Sequence, residues 1–301
     1  MDRLDAMSVL LAAVESGSLS KASRHLRLPL ATVSRKVAEL EAHLNATLLI
    51  RSANGLELTP AGRSYVTSAK AILEQLNEAE RTAAGEYREP RGDLTVTAPI
   101  MFGRMHVLPI VAGFLSAFPD VAVELVLTDR LTRFVDDQVD VALRIGALPD
   151  SGLIATRLGT VRRLICASPD YLATHGAPTT PDDLARHSVI SFRTVSSATI
   201  WTFEAAGAEI AVSFRSRLSV NTIDAAIDAG LSGFGLIRAN SYQVVDHVRG
   251  DRLAVVLKAF EPSPLPVHLV YDTHSRLPLK LRAFIDFVAP RLRERLTQAA
   301  L

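Results

Sequence analysis

The stretch 18–37, SLSKASRHLRLPLATVSRKV, holds Lys21, Arg24, Arg27, Arg35 and Lys36 and no acidic residue. Its apolar positions fall at helical spacing on two short segments with a breaker between them, which predicts two helices joined by a tight turn. Cations gathered on the outer side of such a pair suit a phosphate backbone, and duplex DNA is the expected partner. Upstream, Val9, Leu10, Ala13 and Val14 make one face of a first helix over roughly residues 3–16, which Gly17 ends. Ser18 or Ser20 caps the second helix, with Ala22, Leu26 and Leu28 inward and Lys21, Arg24 and Arg27 outward. Pro29 stands where a third helix opens, and Val33, Val37, Leu40 and Leu44 continue as its buried stripe.

The opposite face of that third helix presents Ala31, Thr32, Ser34, Arg35 and Lys36. Small and polar groups let a helix enter the major groove, where Thr and Ser bond base edges, Ala meets thymine methyls and Arg pairs with guanine. Ser34 and Arg35 are the expected reading positions. A basic helical face is often only a solvated surface, but Glu39 and Glu41 appear only beyond the turn that would lie in the groove, and a hairpin follows. Leu48 to Ile50 read as its first strand, Asn54-Gly55 as the turn, and Leu56 and Leu58 as the return. Arg51 leaves the first strand where it reaches a phosphate or the minor groove. Thr59-Pro60 then opens a helix predicted to run to Gly85. On it Val66, Ala69, Leu73, Leu76 and Ala83 form a near coiled-coil seam interrupted by Glu80, so a second copy is the expected partner, as a dimer or tetramer.

The formal net charge is only +1, from 33 basic and 32 acidic residues, so DNA-binding charge has to be local. No apolar run reaches a bilayer-spanning length, and Asp2 and Asp5 stand where a secretory signal would be basic, so the expected location is cytoplasmic, with no membrane partner. Cys166 is the single cysteine, which rules out an intrachain disulfide and suggests a small buried hydrophobe.

After Gly85 the pattern changes. Residues 86–92 are polar with Pro90 and Gly92, a hinge, and strands then alternate with helices. Strands are expected at 94–97, 121–127, 139–145, 189–192, 210–220, 235–237, 253–257 and 267–271, with helices at 103–118, 222–231 and 279–296. Their near-continuous Val, Leu and Ile predict an α/β architecture with parallel pairing.

The run from Val9 to Ala61, with AVESGSLS at 13–20, VSRKV at 33–37, LE at 40–41 and LTPAG at 58–62, resembles the winged helix-turn-helix of the LysR-type transcriptional regulators. The resemblance implies a winged helix-turn-helix at 1–60, a linker and dimerisation helix with hinge at 61–90, and a two-lobed effector domain at 91–301 like periplasmic solute-binding proteins. By that analogy lobe I covers about 91–161 and 267–301, lobe II about 162–266, and a cleft lies between them. Two departures stand out. Leu30 replaces a glutamine common in the family, so it either packs inward or meets a thymine methyl. Asn54 replaces a basic wing residue, which places more phosphate anchoring on Arg51. The lone cysteine is also incompatible with the two-cysteine peroxide switch of some relatives.

In the implied cleft, Ala98 to Phe102 precede a helix start whose free amides favour an anion, so a small carboxylate is the natural effector. Pro99, Ile100, Met101 and Phe102 stand where relatives often carry hydroxyls, which suggests a bulkier or aromatic effector, or none. Arg144, Phe192, Asn221 and Thr222 complete the expected pocket. By burial Ile100 and Phe102 are core side chains more often than ligand contacts, and Asn221 also reads as a helix cap.

Catalytic readings do poorly. Eight scattered histidines lack a His-Glu-x-x-His array, one cysteine makes no thiolate cage, and neither a Gly-x-Ser-x-Gly elbow nor a phosphate-binding loop is present. Gly230, Gly233 and Gly235 follow a helix and precede a strand, the reverse of a dinucleotide fingerprint, so they read as a helix stop. His106 is assigned to a helix surface. No catalytic residue, metal or cofactor is expected. The expectation is a DNA-binding regulator of an inverted-repeat operator that responds to a small organic anion, with RNA polymerase a further partner if it activates. The alternatives are an effector-independent repressor whose lobes only oligomerise, and an enzyme with a DNA-binding head.

Overall fold

The computed structural model describes residues 2–52, 55–83, 89–130, 139–150, 152–192, 200–272 and 277–299; the side chains of 51, 52, 74, 75, 78 and 81–83 fall outside that description. Two compact units divide it, one within residues 1–89 and one from Pro90 onward.

In the first unit α1 (Arg3–Glu15) is capped by the Asp2 carboxylate, which accepts from the amides of Leu4 and Asp5. Helix α2 (Leu19–Leu26) is capped by Ser18 and stops at Arg27, a left-handed residue with φ 53°. That turn is held from both sides, because Leu28 N donates to Ser23 O and Ser23 Oγ donates back to Leu28 O. Helix α3 (Leu30–Leu44) follows Pro29, whose missing N–H costs nothing at a helix start. Strands β1 (Leu49–Ser52) and β2 (Gly55–Leu58) pair antiparallel, Leu49 opposite Leu58 and Arg51 opposite Leu56. Helix α4 (Pro60–Ala83) is opened by Thr59, whose Oγ1 accepts from Gly62 N. Gly62 is required there, since a Cβ would stand 2.0 Å from Leu48 O.

Ala6, Val9, Leu10, Ala22, Val33, Val37, Leu40 and Leu48 close the core of this unit, and Val66 of α4 joins it. The seam expected from sequence is therefore partly used within one copy. Val66 and Ala69 are buried in the single chain, whereas Leu73 and Leu76 are half-buried and Ile72 is exposed. Ala83 and Gly85 lie outside the described side chains or residues.

The second unit has two lobes. Lobe I carries a five-stranded sheet in the order β4 (Val121–Leu127), β3 (Gly92–Ala98), β5 (Val141–Ile145), β14 (Leu265–Tyr271), β6 (Ile154–Val161). Pairing of β3 with β4 and β5 is parallel, but β14 runs antiparallel to both β5 and β6, which corrects the expectation of parallel pairing throughout. The cause is the crossing of the chain: it leaves lobe I along β6 and re-enters along β14, so these two must run oppositely.

Lobe II holds β7 (Arg163–Ala167) between β12 (Ile237–Asn240) and β13 (Ala254–Val256), a parallel pair of β8 (Val189–Phe192) and β11 (Ser216–Val220), and a hairpin of β9 (Ile200–Ala205) and β10 (Ala208–Ser213). The single strand expected over 210–220 is two strands, broken at Phe214 because that ring turns into a cluster with Trp201. Helices α7 (Pro169–His175), α8 (Ile223–Leu231) and α9 (Ser241–Arg249) complete the lobe, and α10 (Leu279–Gln298) returns to cover lobe I.

The helix expected at 103–118 begins earlier, as α5 (Ile100–Phe102), a π turn (Gly103–Val107) and α6 (Leu108–Ala117). This 18-residue stretch is long and apolar enough to cross a membrane, against the expectation that no such run exists. Phe102, Val107, Ile110, Val111 and Phe114 of this stretch are buried in the core, Ile100 and Leu108 stay exposed, and it carries Arg104. His106, expected on a helix surface, is instead buried between Phe102 and Tyr242 of α9, with ring centres 5.2 and 5.4 Å away. Phe102 meets Tyr242 edge-on at 5.3 Å, so these three rings join the lobes. Cys166 is fully buried, and burial pushes its thiol up to about 12. Gly233 and Gly235 take positive φ after α8, and a Cβ on Gly235 would lie 2.1 Å from Ser188 O, so these glycines form a tight helix-to-strand connection.

Candidate nucleic-acid interface and effector cleft

Helix α3 buries Val33, Val37 and Leu40 and turns its other face outward. On that face Leu30 is 46% exposed, Ala31 and Arg35 are exposed, and Thr32 and Ser34 are half-buried. Lys21, Arg24 and Arg27 stand exposed on and just after α2. The structure thus brings the leading turns of α3 and the cations of α2 onto one unit, as groove entry requires. Leu30 does not pack inward. It lines a cavity of about 300 Å3 with Ser34, Gly17, Ser18, Leu19, Ser20, Gly55 and Leu56, where the turn after α1 meets the wing.

Two basic residues of α3 are held by acids. Arg35 donates to Glu39 at 3.2 Å, one turn along, in a pair that stays largely exposed and open to exchange. Lys36 is ion-paired with Asp5 of α1, and its side chain is only 21% exposed. Its ammonium is thus engaged within the unit, and the expected groove-facing role of Lys36 is corrected to a brace between α1 and α3. Periodicity does not reveal this pair, because Asp5 lies on a different helix, far from Lys36 in sequence. Glu41 also acts structurally: its carboxylate accepts from the amides of Leu48 and Leu49 at 2.7 and 3.0 Å, tying α3 to the wing. The backbone of Arg51 lies in β1, its side chain lies outside the described residues, and Asn54 lies outside them altogether.

In the second unit the expected cleft residues gather at the carboxyl ends of parallel strands, where open α/β sheets take ligands. Pro99 follows β3, Arg144 lies near the end of β5, Phe192 ends β8, and Asn221 follows β11, with Phe192 paired to Val220. Arg104 of the π turn donates to Asp224 in the first turn of α8 at 2.8 Å, so the 99–104 and 221–224 segments meet. Three expectations need correction. Met101 and Phe102 belong to the core, the latter fully buried, which removes them from a ligand-facing list. The helix start is also occupied, because Ile100 N donates to Asp129 Oδ1 at 3.1 Å. Asn221 is not the cap of α8; Thr222 is, accepting from Ala225 N. Ile100 remains 44% exposed, Phe192 is half-buried, and Arg144 donates to Leu143 O. Among the described residues no three His, Cys, Asp or Glu side chains converge on one point.

Comparison with known proteins agrees with both halves. Residues 4–63 match the bacterial regulatory helix-turn-helix protein, lysR family, and residues 87–293 match the LysR substrate binding domain. The HTH-type transcriptional repressor PA14_22550 of Pseudomonas aeruginosa (strain UCBPP-PA14) is 32% identical over 96% of this chain and 92% of its own length. The structure of CrgA, a LysR-type transcriptional regulator from Neisseria meningitidis, is 30% identical with a TM-score of 0.61, covering 96% of this chain and 98% of that one. The full-length Vibrio cholerae virulence activator AphB, at 28% identity and TM-score 0.61, covers 95% and 98%. A winged head with an exposed recognition helix, joined to two lobes that meet at strand ends, and matched by both family models, makes this chain a DNA-binding transcriptional regulator of the LysR family.

Proposed function

We propose that the protein binds an inverted-repeat operator as a homodimer or tetramer, inserting the start of α3 in the major groove with the wing alongside, and responds to a small organic effector held between its lobes. The observation that carries the reading is the outward face of α3, where Leu30, Ala31 and Arg35 project beside the exposed cations of α2. Ser34 and Arg35 read bases, Leu30 meets a thymine methyl, and Lys21, Arg24 and Arg51 anchor phosphates. Leu73 and Leu76 are the free part of the linker seam and join two copies, which sets two recognition helices for a two-fold site. The work is done on chromosomal DNA in the cytoplasm without catalysis, and RNA polymerase is a further partner where the outcome is activation. A ligand biases the switch only by its differential affinity for the open and closed lobes.

A second reading, in which the lobes only oligomerise, is favoured by one contact: Asp129 already occupies the amide of Ile100 that an effector anion would use. Footprinting of the purified full chain on its own promoter regions tests the first reading. Protection of two half-sites related by a dyad is expected, and protection of a single asymmetric site contradicts the paired arrangement. A thermal-shift series with small carboxylates separates the two readings, because a sensor gains stability with ligand and an oligomerisation scaffold does not.

A further inference from the structure

Arg163 opens β7 and Arg238 lies on β12, and the antiparallel register sets Asn240 opposite Arg163 and Ile165 opposite Arg238. Side chains alternate along a strand, so both arginines share the sheet face of Ile165. That face packs on Trp201, Phe203 and Tyr171, away from α8 and α9. The guanidinium of Arg238 lies 5.3 Å from the centre of the Trp201 ring. An aromatic ring satisfies the flat side of a guanidinium but not its in-plane N–H donors. One of these, Nη1 of Arg238, is buried without a hydrogen-bond partner.

The two charges also lack an acid among the described residues. Glu261 is committed to Arg162 through two hydrogen bonds of 2.8 Å. Burial holds the Arg163 guanidinium below its usual range; burial first, and then the charge of Arg163, push Arg238 down to about 10. A guanidinium keeps its proton in proteins, so both are cations at neutral pH. Like charges that share a partly dehydrated face repel, and a ligand that neutralises both is held by charge-assisted, forked hydrogen bonds.

The pair sits at a particular edge. Val189 of β8 bridges Leu236 in parallel, so β12 runs with β8 and ends on the same side as Phe192. This is the carboxyl edge that borders the proposed effector cleft. We propose that Arg163 and Arg238 form an anion subsite on lobe II that takes a small organic dianion, a dicarboxylate or a phosphate monoester. The inference rests on the reading of the lobes as an effector-binding domain and gives that effector its charge and the lobe that holds it.

Calorimetric titration of the full chain with succinate, glycerol phosphate and uncharged succinamide tests it. A dianion is expected to bind and succinamide is not. Arg163→Gln and Arg238→Gln should each weaken the dianion by about tenfold or more, as loss of a charged hydrogen bond implies, while Arg282→Gln, on the exposed face of α10, leaves it unchanged. Arg163→Lys keeps the charge and should retain part of the affinity. The thermal midpoint of ligand-free Arg163→Gln should not fall below that of the parent, because a repulsion is relieved. Dianion binding that both Arg→Gln variants keep and Arg144→Gln loses overturns the subsite but leaves the cleft standing. No binding by either dianion overturns the subsite, and failure of the wider carboxylate series as well removes the effector reading.

Discussion

Arg104 in the π turn of lobe I and Asp224 in the first turn of α8 form an ion pair of 2.8 Å that fastens one lobe to the other at their surface, both side chains being about half exposed. Exposed pairs contribute little to stability, because water and salt compete for both charges. Asp224→Asn should therefore lower the unfolding free energy by less than about 1 kcal/mol, with the difference shrinking as salt rises. Denaturant titrations at two ionic strengths check this, and a loss of several kcal/mol would mean that the pair holds the lobes together instead of merely latching them.

Lys36 spends its charge on Asp5 within the winged head. Lys36→Met should cost about 1 kcal/mol in head stability and weaken cognate and unrelated DNA to a similar degree. Asp5→Asn should reproduce the stability loss, and the double variant should be less damaging than the sum. Selective loss at the cognate operator would return Lys36 to the reading face.

The linker helix makes a separate expectation. Leu73 and Leu76 are half-buried in one copy, whereas Val66 is already spent in the winged core. Leu73→Lys with Leu76→Lys should yield monomers by analytical ultracentrifugation, still folded, with weak operator binding. A dimer of unchanged affinity would place the main interface elsewhere.

His106 links stability to pH. Burial, and then the charge of Arg295, hold its pKa below the ordinary 6.5. Below that ordinary value the unfolded chain takes up a proton that the folded chain refuses, so stability is full above pH 6.5 and falls as pH drops towards the folded pKa. The slope from one such group is at most about 1.4 kcal/mol per pH unit. His187 and His247 are lowered in the same direction by burial, so His106→Leu should flatten the acid-side decline without abolishing it. An unchanged slope would show that His106 is solvated in the folded protein.

The winged head was legible because its signals are local. Gly17, Ser18, Pro29 and Thr59-Pro60 mark helix ends by their own chemistry, and the stripes of α1 and α3 follow helical period. The second unit was less so. Strand β6 reads IATRLGTV and alternates poorly because, among the described residues, its one strand neighbour is β14. Helix α9 opens with Ser241, Tyr242 and Gln243, polar or amphipathic residues that are buried only because lobe I and the Asn240 capping box receive them. At the sites, Leu30 and Arg35 were readable from periodicity, whereas the burial of Phe102 and the pairing of Lys36 depend on partners distant in sequence. Arg163 and Arg238 carried one unread signal, an arginine at the start of the otherwise apolar strand RLICA and another between Ile237 and Ala239 in IRAN.

Fluorescence anisotropy of the full chain on a footprinted operator and on a scrambled duplex, with Arg35→Ala alongside, decides whether α3 reads base sequence. The parent should prefer the operator, and Arg35→Ala should lose about 1 to 3 kcal/mol there but little on the scrambled duplex. An equal loss on both, or a parent that does not distinguish the two duplexes, contradicts base reading by α3.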